Sequence, residues 1–434
     1  MLGELRICSC RAVIWQNAIH IYIADMLATS EIIRESSQAS RIRKLLPRWR
    51  KIPLYREALA RRGSDLTGLP ILTKREMRAG FPQNFLHSGL TLDELLAERL
   101  VELEHTSGTS DDRLPVIFGN GWWNKQEERA LRLNKFVARV LDEHPNARRA
   151  TITSPACNGL TCPTVWMSRA QRTIGNALFV NLARIPFLIP EAEQQHMAEE
   201  IADWSPLFLD LDPVHGAWFA LYCERRGIRF PSLRFVLCSY EFVSVVHRRI
   251  LERVFGVPVF NLYGSTETGH LLMENEAGEM KPSHDTAYLE VVDKDPNGIG
   301  NLIVTTLTND YMPLLRYGIG DLAERNECSY GTDYVIHGRM RDALYDADGS
   351  RVTTWQVDQC FAGVSGVVHY QLRQSPDGNC RLRYVPESSG LDAGGLRDVV
   401  ARLESLLGSP VSTESAPTLL PESSGKFRLT CSAA

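Results

Sequence analysis

Short apolar runs alternate with longer amphipathic stretches from residue 150 onward. The runs have the length and composition of buried strands, and the stretches between them repeat their apolar positions at helical spacing. This alternation is typical of βαβ units around a buried parallel sheet, and it predicts an α/β fold. The predicted strands are 151–153, 177–181, 207–211, 233–238 and 257–262, and the predicted helices are 191–204, 214–226 and 245–255.

The part of the chain before this core has a mainly helical pattern. Residues 11–62 and 123–141 follow helical spacing, and Thr73 is placed to cap a further helix. Between these segments, residues 100–103 predict a strand that leads into a hydroxyl-rich loop.

The last third of the chain is rich in strand and turn signals. Residues 286–293 and 300–307 flank a Pro-Asn-Gly turn and predict a hairpin or meander. Residues 317–321 and 337–342 predict further turns, and the Ser-, Pro- and Thr-rich residues 408–425 predict a surface loop.

Composition limits the classes of partner that the protein could bind. The 434 residues are 44% apolar and 23% charged, which is ordinary for a globular protein of two or three domains. The net charge is −4, and the basic cluster at 41–51 is interpreted as the solvated face of a helix. Without a basic domain or stripe, nucleic acid is not an expected partner. The apolar run 18–27 is interrupted by His20 and Asp25, so it predicts a buried helix and no membrane span.

Cysteine usage bears on the compartment. The ten cysteines include no CxxC pair and no zinc-finger spacing, and no secretory signal is recognisable. We therefore expect a cytoplasmic protein with reduced thiols. A P-loop NTPase is not expected, because the chain lacks that family's G-x-x-x-x-G-K-[ST] motif.

One stretch, residues 261–269, combines small and polar residues behind a predicted strand. Gly264 permits close approach of the backbone to a ligand, and Ser265 and Thr266 carry hydroxyls. Glu267 could hold a hard cation such as Mg²⁺. Ligands of parallel sheets bind beyond the carboxyl ends of the strands, where this stretch is expected. From the stretch alone, a ligand site and a solvated turn that caps the next element are equal alternatives.

Five segments containing glycine, hydroxyls or charges follow one another along the chain. They are Thr106–Thr109, Tyr263–Glu267, Thr305–Asp321, Gly338–Asp342 and Gly425–Lys426. Their order and spacing resemble the adenylate-forming superfamily of acyl- and aryl-CoA synthetases, luciferases and adenylation domains. The sequence is most similar to the phenylacetate-CoA-ligase-like branch, and the resemblance extends from Pro53 to Lys426.

The resemblance implies a two-part architecture. A large N-terminal domain, residues 1–338, would bind ATP and the acid with parallel sheets and a β-rich subdomain. A small, mobile α+β domain, residues 339–434, would act as a lid that carries the C-terminal lysine. The oligomeric state is left open, with a homodimer as the candidate assembly.

The resemblance also implies a two-step reaction. A carboxylic acid, expected to be an aryl or other compact acid, would react with ATP and Mg²⁺ to give acyl-AMP and pyrophosphate. A thiol, expected to be that of CoA, would then displace AMP. Two alternatives stay open: transfer to a carrier-protein thiol or an amine in secondary-metabolite biosynthesis, and a nucleotide-binding scaffold with weak catalysis.

Family roles transfer to matching residues. By resemblance, Glu267 would hold Mg²⁺ on the phosphates, Thr266 would hydrogen-bond the α-phosphate, and Tyr263 would lie against the adenine. Asp321 would bind the ribose, because its two oxygens can accept bonds from adjacent hydroxyls, and Arg339 would contact ribose or phosphate. For each of them, a plain turn or a surface ion pair is the alternative.

The C-terminal motif and the pocket walls complete the implied site. Lys426 would contact the carboxylate and the α-phosphate as charge develops, and Asp342 would be the hinge of the lid. The other implied nucleotide-binding residues are Thr106, Ser107, Gly108, Thr109, Ser239, Tyr240, Glu241, Gly264 and Ser265. The implied acid-pocket residues are Asn158, Tyr240, Gly264 and His270.

Two positions depart from the family pattern. Asp111-Asp112-Arg113 replaces the usual Gly-Lys-Pro of the phosphate loop, and the two carboxylates would repel phosphates unless they face solvent or Mg²⁺. Whether Arg113 substitutes for the lysine is open. Tyr240 stands where relatives have a small residue, so it is expected to reshape the acid pocket or to stack on an aromatic acid or the adenine.

Overall fold

The computed structural model describes residues 38–62, 66–87, 89–106, 113–153, 167–180, 185–328, 331–388, 390, 393–421 and 425–432. The helices are α1 (38–49), α2 (Arg56–Arg62), α3 (Lys74–Arg78), α4 (Leu92–Ala97), α5 (Trp122–Leu131), α6 (Lys135–Glu143), α7 (Glu191–Trp204), α8 (Pro213–Arg226), α9 (Val245–Phe255), α10 (Thr354–Gln359) and α11 (Ala393–Leu407). The strands are β1 (Val101–His105), β2 (Pro115–Gly119), β3 (Arg149–Ile152), β4 (Thr173–Ile174), β5 (Ala177–Phe179), β6 (Phe208–Leu211), β7 (Phe235–Cys238), β8 (Val259–Ser265), β9 (Gly269–Glu274), β10 (Met280–Pro282), β11 (Ala287–Val292), β12 (Ile299–Thr306), β13 (Tyr317–Cys328), β14 (Gly331–Arg339), β15 (Leu344–Tyr345), β16 (Arg351–Val352), β17 (Val367–Gln374), β18 (Cys380–Pro386), β19 (Val411–Ser415) and β20 (Thr430–Ser432).

A twelve-stranded sheet runs through the described part of the chain, in the order β11-β12-β13-β14-β10-β9-β8-β7-β6-β3-β5-β4. The neighbours from β5 to β8 pair in parallel, and those from β8 to β11 pair antiparallel. The predicted α/β class, with a parallel sheet and a β-rich part, is confirmed. Because β6, β7 and β8 are adjacent and parallel, their carboxyl ends lie side by side.

Helices cover both faces of the parallel strands. Alternate strand residues pack with α7, α8 and α9 on one face and with α5 and α6 on the other. Local capping signals explain why α8 and α9 end near the predicted residues. Asp212 and Ser244 accept backbone N–H bonds at the two N-termini, and Gly227 and Gly256 adopt left-handed φ angles of 65° and 66° at the two C-termini.

The helical spacing of residues 123–141 is interrupted by a break between two helices. The segment folds as α5 and α6, separated by the buried Asn134. The Asn134 side chain accepts a 2.9 Å hydrogen bond from Val137 N and donates a 2.9 Å bond to the Glu274 carbonyl of β9. The side chain that begins α6 thus also holds it to the sheet, and this long-range contact overrides the continuous apolar spacing.

Three expectations for local structure differ from the fold. Residues 263–265 belong to β8, which continues past the predicted end at 262 and turns back into β9. Residues 317–321, a predicted turn, begin the long strand β13. The predicted surface loop 408–425 contains β19, which pairs in parallel with β18. In each case the strand pairs with a segment that is distant in sequence, or it pairs with an irregular register. The spacing of apolar residues alone therefore does not predict the strand. The predicted hairpin is confirmed as β11–β12.

The C-terminal residues form a separate four-stranded sheet in the order β19-β18-β17-β20. This sheet packs on α8 and α9 and shares one apolar core with them. The proposed domain boundary near residue 338 lies at the end of β14, and both the boundary and the lid's mobility remain predictions.

Candidate functional site

The hairpin β8–β9 holds Tyr263–Glu267 in a compact turn. A Cβ on Gly264 would lie 2.2 Å from the carbonyl oxygen of Gly269, so only glycine fits between the two strands. Ser265 Oγ and Thr268 Oγ1 are 2.9 Å apart and close the turn with a hydrogen bond. The turn follows the carboxyl end of a parallel strand, which is where α/β sheets bind ligands.

Glu267 is buried at this turn with only 4% of its surface exposed. Tyr317 OH donates a 2.8 Å hydrogen bond to Glu267 Oε1, and Lys74 Nζ lies 3.8 Å from the same oxygen. Lys74 is brought here because Leu72 forms a parallel β-bridge with Tyr317. One carboxylate is thus held beside one cation and one hydroxyl.

Asp321 and Arg339 face each other on β13 and β14, beside Tyr263. Tyr263 OH donates a 2.6 Å hydrogen bond to Asp321 Oδ2, and Arg339 Nε lies 3.6 Å from Asp321 Oδ1. Burial and the Asp321 charge raise the pKa of Tyr263 well above its usual value, so the phenol remains a donor. Asp321 Oδ1 is buried and accepts no hydrogen bond from the described residues. This oxygen fits a hydroxyl donor from a bound ligand.

Lys426 docks on the segment that follows β7. Its Nζ donates a 2.8 Å hydrogen bond to the carbonyl oxygen of Tyr240, and Phe427 N donates a 2.9 Å bond to Glu241 Oε1. Tyr240 has a φ of +74°, which a non-glycine residue adopts only at a cost. Burial, together with the Asp212 charge, raises the pKa of Glu241 well above its usual value. Two successive C-terminal residues thus contact two successive residues beyond β7.

Phe427 and Arg428 anchor the lysine segment on its other side. The Phe427 ring packs edge-on against His369 and Phe187, with centroid distances of 4.9 and 5.7 Å. Arg428 forms a 2.7 Å ion pair with Asp342. The residue predicted as the hinge therefore contacts the lysine segment directly.

Comparisons with known proteins bear on the family. No protein-family model matches the chain. It is 27% identical over 365 residues to phenylacetate-coenzyme A ligase of Thermus thermophilus, covering 77% of each sequence. It is 24% identical over 298 residues to phenylacetate-coenzyme A ligase of Pseudomonas putida, covering 62% of each.

A 2-hydroxyisobutyryl-CoA ligase shares the fold. Its structure in the postadenylation state superposes with a TM-score of 0.66 at 16% identity, covering 92% of this chain and 89% of that one. The same ligase in the thioesterification state gives a TM-score of 0.52 at 17% identity, with the same coverage of each chain. The solved structure shows the fold that the two proteins share, and the curated relatives support the adenylate-forming superfamily in its phenylacetate-CoA-ligase-like branch.

The structure brings together many of the residues that family resemblance singles out. Tyr263, Glu267, Asp321 and Arg339 form one polar cluster. Ser239, Tyr240 and Glu241 lie with Lys426 at the neighbouring strand end. Thr106 closes the β1–β2 hairpin, where its Oγ1 accepts a 2.9 Å bond from Leu114 N. Ser107, Gly108, Thr109, Asp111, Asp112 and Asn158 lie outside the described residues.

The cluster around Glu267 suits a magnesium ion that arrives with ATP. Mg²⁺ in such sites takes one or two carboxylates and completes its shell with phosphate oxygens and water. Glu267 supplies one buried carboxylate, and no group of three or more His, Cys, Asp or Glu side chains within the described ranges is placed to hold a metal. The residues therefore fit a shared rather than a protein-enclosed ion.

Three residues at the site were not predicted. Lys74 and Tyr317 contact Glu267, and Asp210 accepts hydrogen bonds from Ser239 and Tyr240. A signal existed for Asp210, because it is a lone carboxylate inside the apolar strand run 207–211. No sequence signal pointed to Lys74, whose position depends on a bridge between distant segments.

Among the described helices, none is both long and apolar enough to cross a membrane.

Proposed function

We propose that the protein activates a carboxylic acid with ATP to an acyl-adenylate and then transfers the acyl group to CoA. The observation that carries this proposal is the meeting of Lys426 with the Tyr240 carbonyl, one strand away from the Glu267 and Asp321 cluster. A cation, a metal-binding carboxylate and a ribose-binding carboxylate thus surround the carboxyl ends of β7 and β8. The curated phenylacetate-coenzyme A ligases support CoA as the acceptor.

In the first step, Asp321 holds the ribose hydroxyls and Arg339 neutralises charge beside them. Thr266 donates to the α-phosphate from the turn after β8. The Lys426 ammonium group either releases the Tyr240 carbonyl or keeps this hydrogen bond and donates a second one to the reactants. In both cases it stabilises the charge that develops between the carboxylate and the α-phosphate. Glu267 would hold a Mg²⁺ ion that arrives with ATP, and such an ion would further neutralise the charge of the phosphates. Holding the reactants in line contributes as much as the charges do.

The second step needs a different lid position. We propose that residues 339–434 rotate about Asp342, which would withdraw Lys426 from the Tyr240 carbonyl. The better superposition on a postadenylation state than on a thioesterification state supports placing the present arrangement before this rotation. We also propose a cytoplasmic location, which agrees with five buried, unbridged cysteines: Cys223, Cys238, Cys360, Cys380 and Cys431.

The test is acid-dependent exchange of pyrophosphate into ATP over a panel of aryl and aliphatic acids, followed by AMP release on adding CoA. We expect exchange with at least one acid and CoA-dependent AMP release. Lys426→Ala is expected to lower exchange by about 100-fold, the scale of one preorganised charge in a transition state. Lys294→Ala is the matched control, because Lys294 is exposed and distant in sequence from Lys426.

The outcomes separate the candidate functions. Exchange without CoA-dependent AMP release would show that the acyl group is transferred to an acceptor other than CoA. Intact ATP binding with no exchange for any acid would reject catalysis. Glu267→Gln should weaken exchange in a way that added Mg²⁺ partly restores, while Glu193→Gln, at an exposed position, should change nothing.

A further inference from the structure

A buried ionic cluster lies between α5 and the sheet, and Ser239 and Tyr240 of the segment after β7 belong to it. Asp210, 5% exposed, accepts a 2.8 Å bond from Ser239 Oγ and a 3.0 Å bond from Tyr240 OH on its two oxygens. The Arg149 guanidinium lies 3.9 Å from Asp210 Oδ2 and is in direct contact with Glu127. The cluster therefore contains two carboxylates and one guanidinium.

The charges within this cluster do not balance. Arg149 is engaged by Glu127, so no cation among the described residues lies at hydrogen-bond distance from Asp210. A carboxylate has about four acceptor positions, and the two hydroxyls use two of them. Burial raises the pKa of Asp210, the direction expected for a carboxylate that is removed from water. A buried acceptor with unused capacity is costly unless a donor reaches it.

Three polar atoms on α5, β3 and β9 lack hydrogen-bond partners among the described residues. His270 Nε2, Gln126 Oε1 and Thr151 Oγ1 are buried and make no hydrogen bond with the described residues. Thr151 is level with Asp210 on the neighbouring strand, and the Trp123 ring lies 4.9 Å from the His270 ring. Burial lowers the pKa of His270 to about 4, so its imidazole is neutral at pH 7. The residues beside α5 thus combine one large aromatic face with several polar atoms that lack hydrogen bonds.

Tyr240 links these residues to the reacting centre. Its carbonyl oxygen accepts the bond from Lys426, and its hydroxyl donates to Asp210. One tyrosine residue therefore spans the gap between the lysine and the cluster. If the carboxylate of a bound acid contacts Lys426, only a substituent at the opposite end of the acid can reach Asp210. The body of such an acid would be about as compact as the tyrosine residue.

We propose that the residues beside α5 select an aryl or similarly compact acid that carries a hydroxyl or amino substituent, with Asp210 accepting its hydrogen bond. This inference rests on the proposed function. A plain hydrocarbon acid would bury Asp210, His270 and Gln126 without new partners, and a site built to bind a donor rejects such an acid. The Trp123 ring supplies the face against which an aromatic acid packs.

The experiment compares matched acids in ATP–pyrophosphate exchange with the full-length protein. The panel is phenylacetate and benzoate with the 2-, 3- and 4-hydroxy and amino derivatives of each. We expect the best derivative to exceed its parent acid at least about tenfold in kcat/KM, the scale of one hydrogen bond to a charged group. Asp210→Leu and Asp210→Asn should reduce this ratio, and Asp203→Asn, at an exposed aspartate, should leave it unchanged.

The results distinguish failure of the inference from failure of the function. Parent acids that are used as well as or better than their derivatives would overturn the selection by Asp210 and leave acid activation intact. A strong preference for derivatives that Asp210→Asn does not reduce would also overturn it. ATP binding with no exchange for any acid, measured as a ligand-induced rise in Tm, would reject the proposed function and this inference with it. If the Asp210 variants do not fold, the wild-type ratios across the panel decide.

Discussion

The pH dependence of stability tests how Asp358 joins the C-terminal sheet to α9. Asp358 is buried and accepts bonds from Ser244 Oγ, from Val245 N at 2.9 Å and from Tyr370 OH at 2.8 Å. Burial nevertheless raises its pKa from 3.8 to about 6, because these three bonds do not fully replace water. The perturbation is Asp358→Asn, which keeps the volume and removes the charge.

The direction follows from linkage between protonation and folding. A carboxyl with a raised pKa in the folded state stabilises the fold at low pH, and this contribution is lost as pH rises through 6. The shift of about 2 pKa units corresponds to about 3 kcal/mol. The free energy of unfolding of Asp358→Asn, relative to wild type, should therefore rise by about 2 kcal/mol between pH 4 and pH 6.5.

The assay is urea unfolding of the variant and wild type in parallel at several pH values. Asp203→Asn is the control, because its carboxylate is exposed. His247 acts in the opposite direction at the same interface, since burial lowers its pKa to about 4 and its contribution is lost as pH falls below 6.5. The difference in unfolding free energy between variant and wild type at each pH cancels the contribution of His247. Parallel pH curves for the two proteins would refute a buried, poorly solvated carboxylate at this position.

Three further variants address the site itself. Gly264→Ala should cost about 1–3 kcal/mol and lower the Tm, because its Cβ would meet the Gly269 carbonyl, and an unchanged Tm would contradict the tight hairpin. Tyr317→Phe should reduce exchange by about tenfold or more by removing the hydroxyl that positions Glu267, with a larger effect at low Mg²⁺; equal loss at all Mg²⁺ concentrations would argue against that role. Asp321→Asn should raise the KM for ATP more than that for the acid, and the reverse order in steady-state kinetics would move Asp321 away from the ribose.

Local signals explain which parts of the fold could be predicted. Helices α7 and α9 have the predicted bounds because their apolar spacing is local to each helix, and α9 is also capped by its neighbours Ser244 and Gly256. The break between α5 and α6 and the strand β19 depend on partners elsewhere in the chain. Pairing with a distant segment leaves no periodic signature, so these elements were beyond sequence reasoning.

The same distinction applies to the site. Tyr263, Glu267, Asp321 and Lys426 stood out because they occur in recognisable segments, although their catalytic roles stay predictions. Lys74 was missed, since it reaches Glu267 only through the pairing of Leu72 with the start of β13. Motif residues identify the common chemistry of a family, whereas supporting contacts between segments require the folded chain.

Tyr240 shows how a departure from the family pattern can be retained. A left-handed φ of +74° costs a non-glycine residue about 1 kcal/mol, and glycine would avoid this cost. The tyrosine contributes what glycine lacks, a hydroxyl that binds Asp210 at 3.0 Å, while its carbonyl binds Lys426. The strain is thus tied to a residue that contacts both the lysine and the candidate acid pocket. Any change in acid selection at this position should therefore also alter how Lys426 docks, because the same residue supports both contacts.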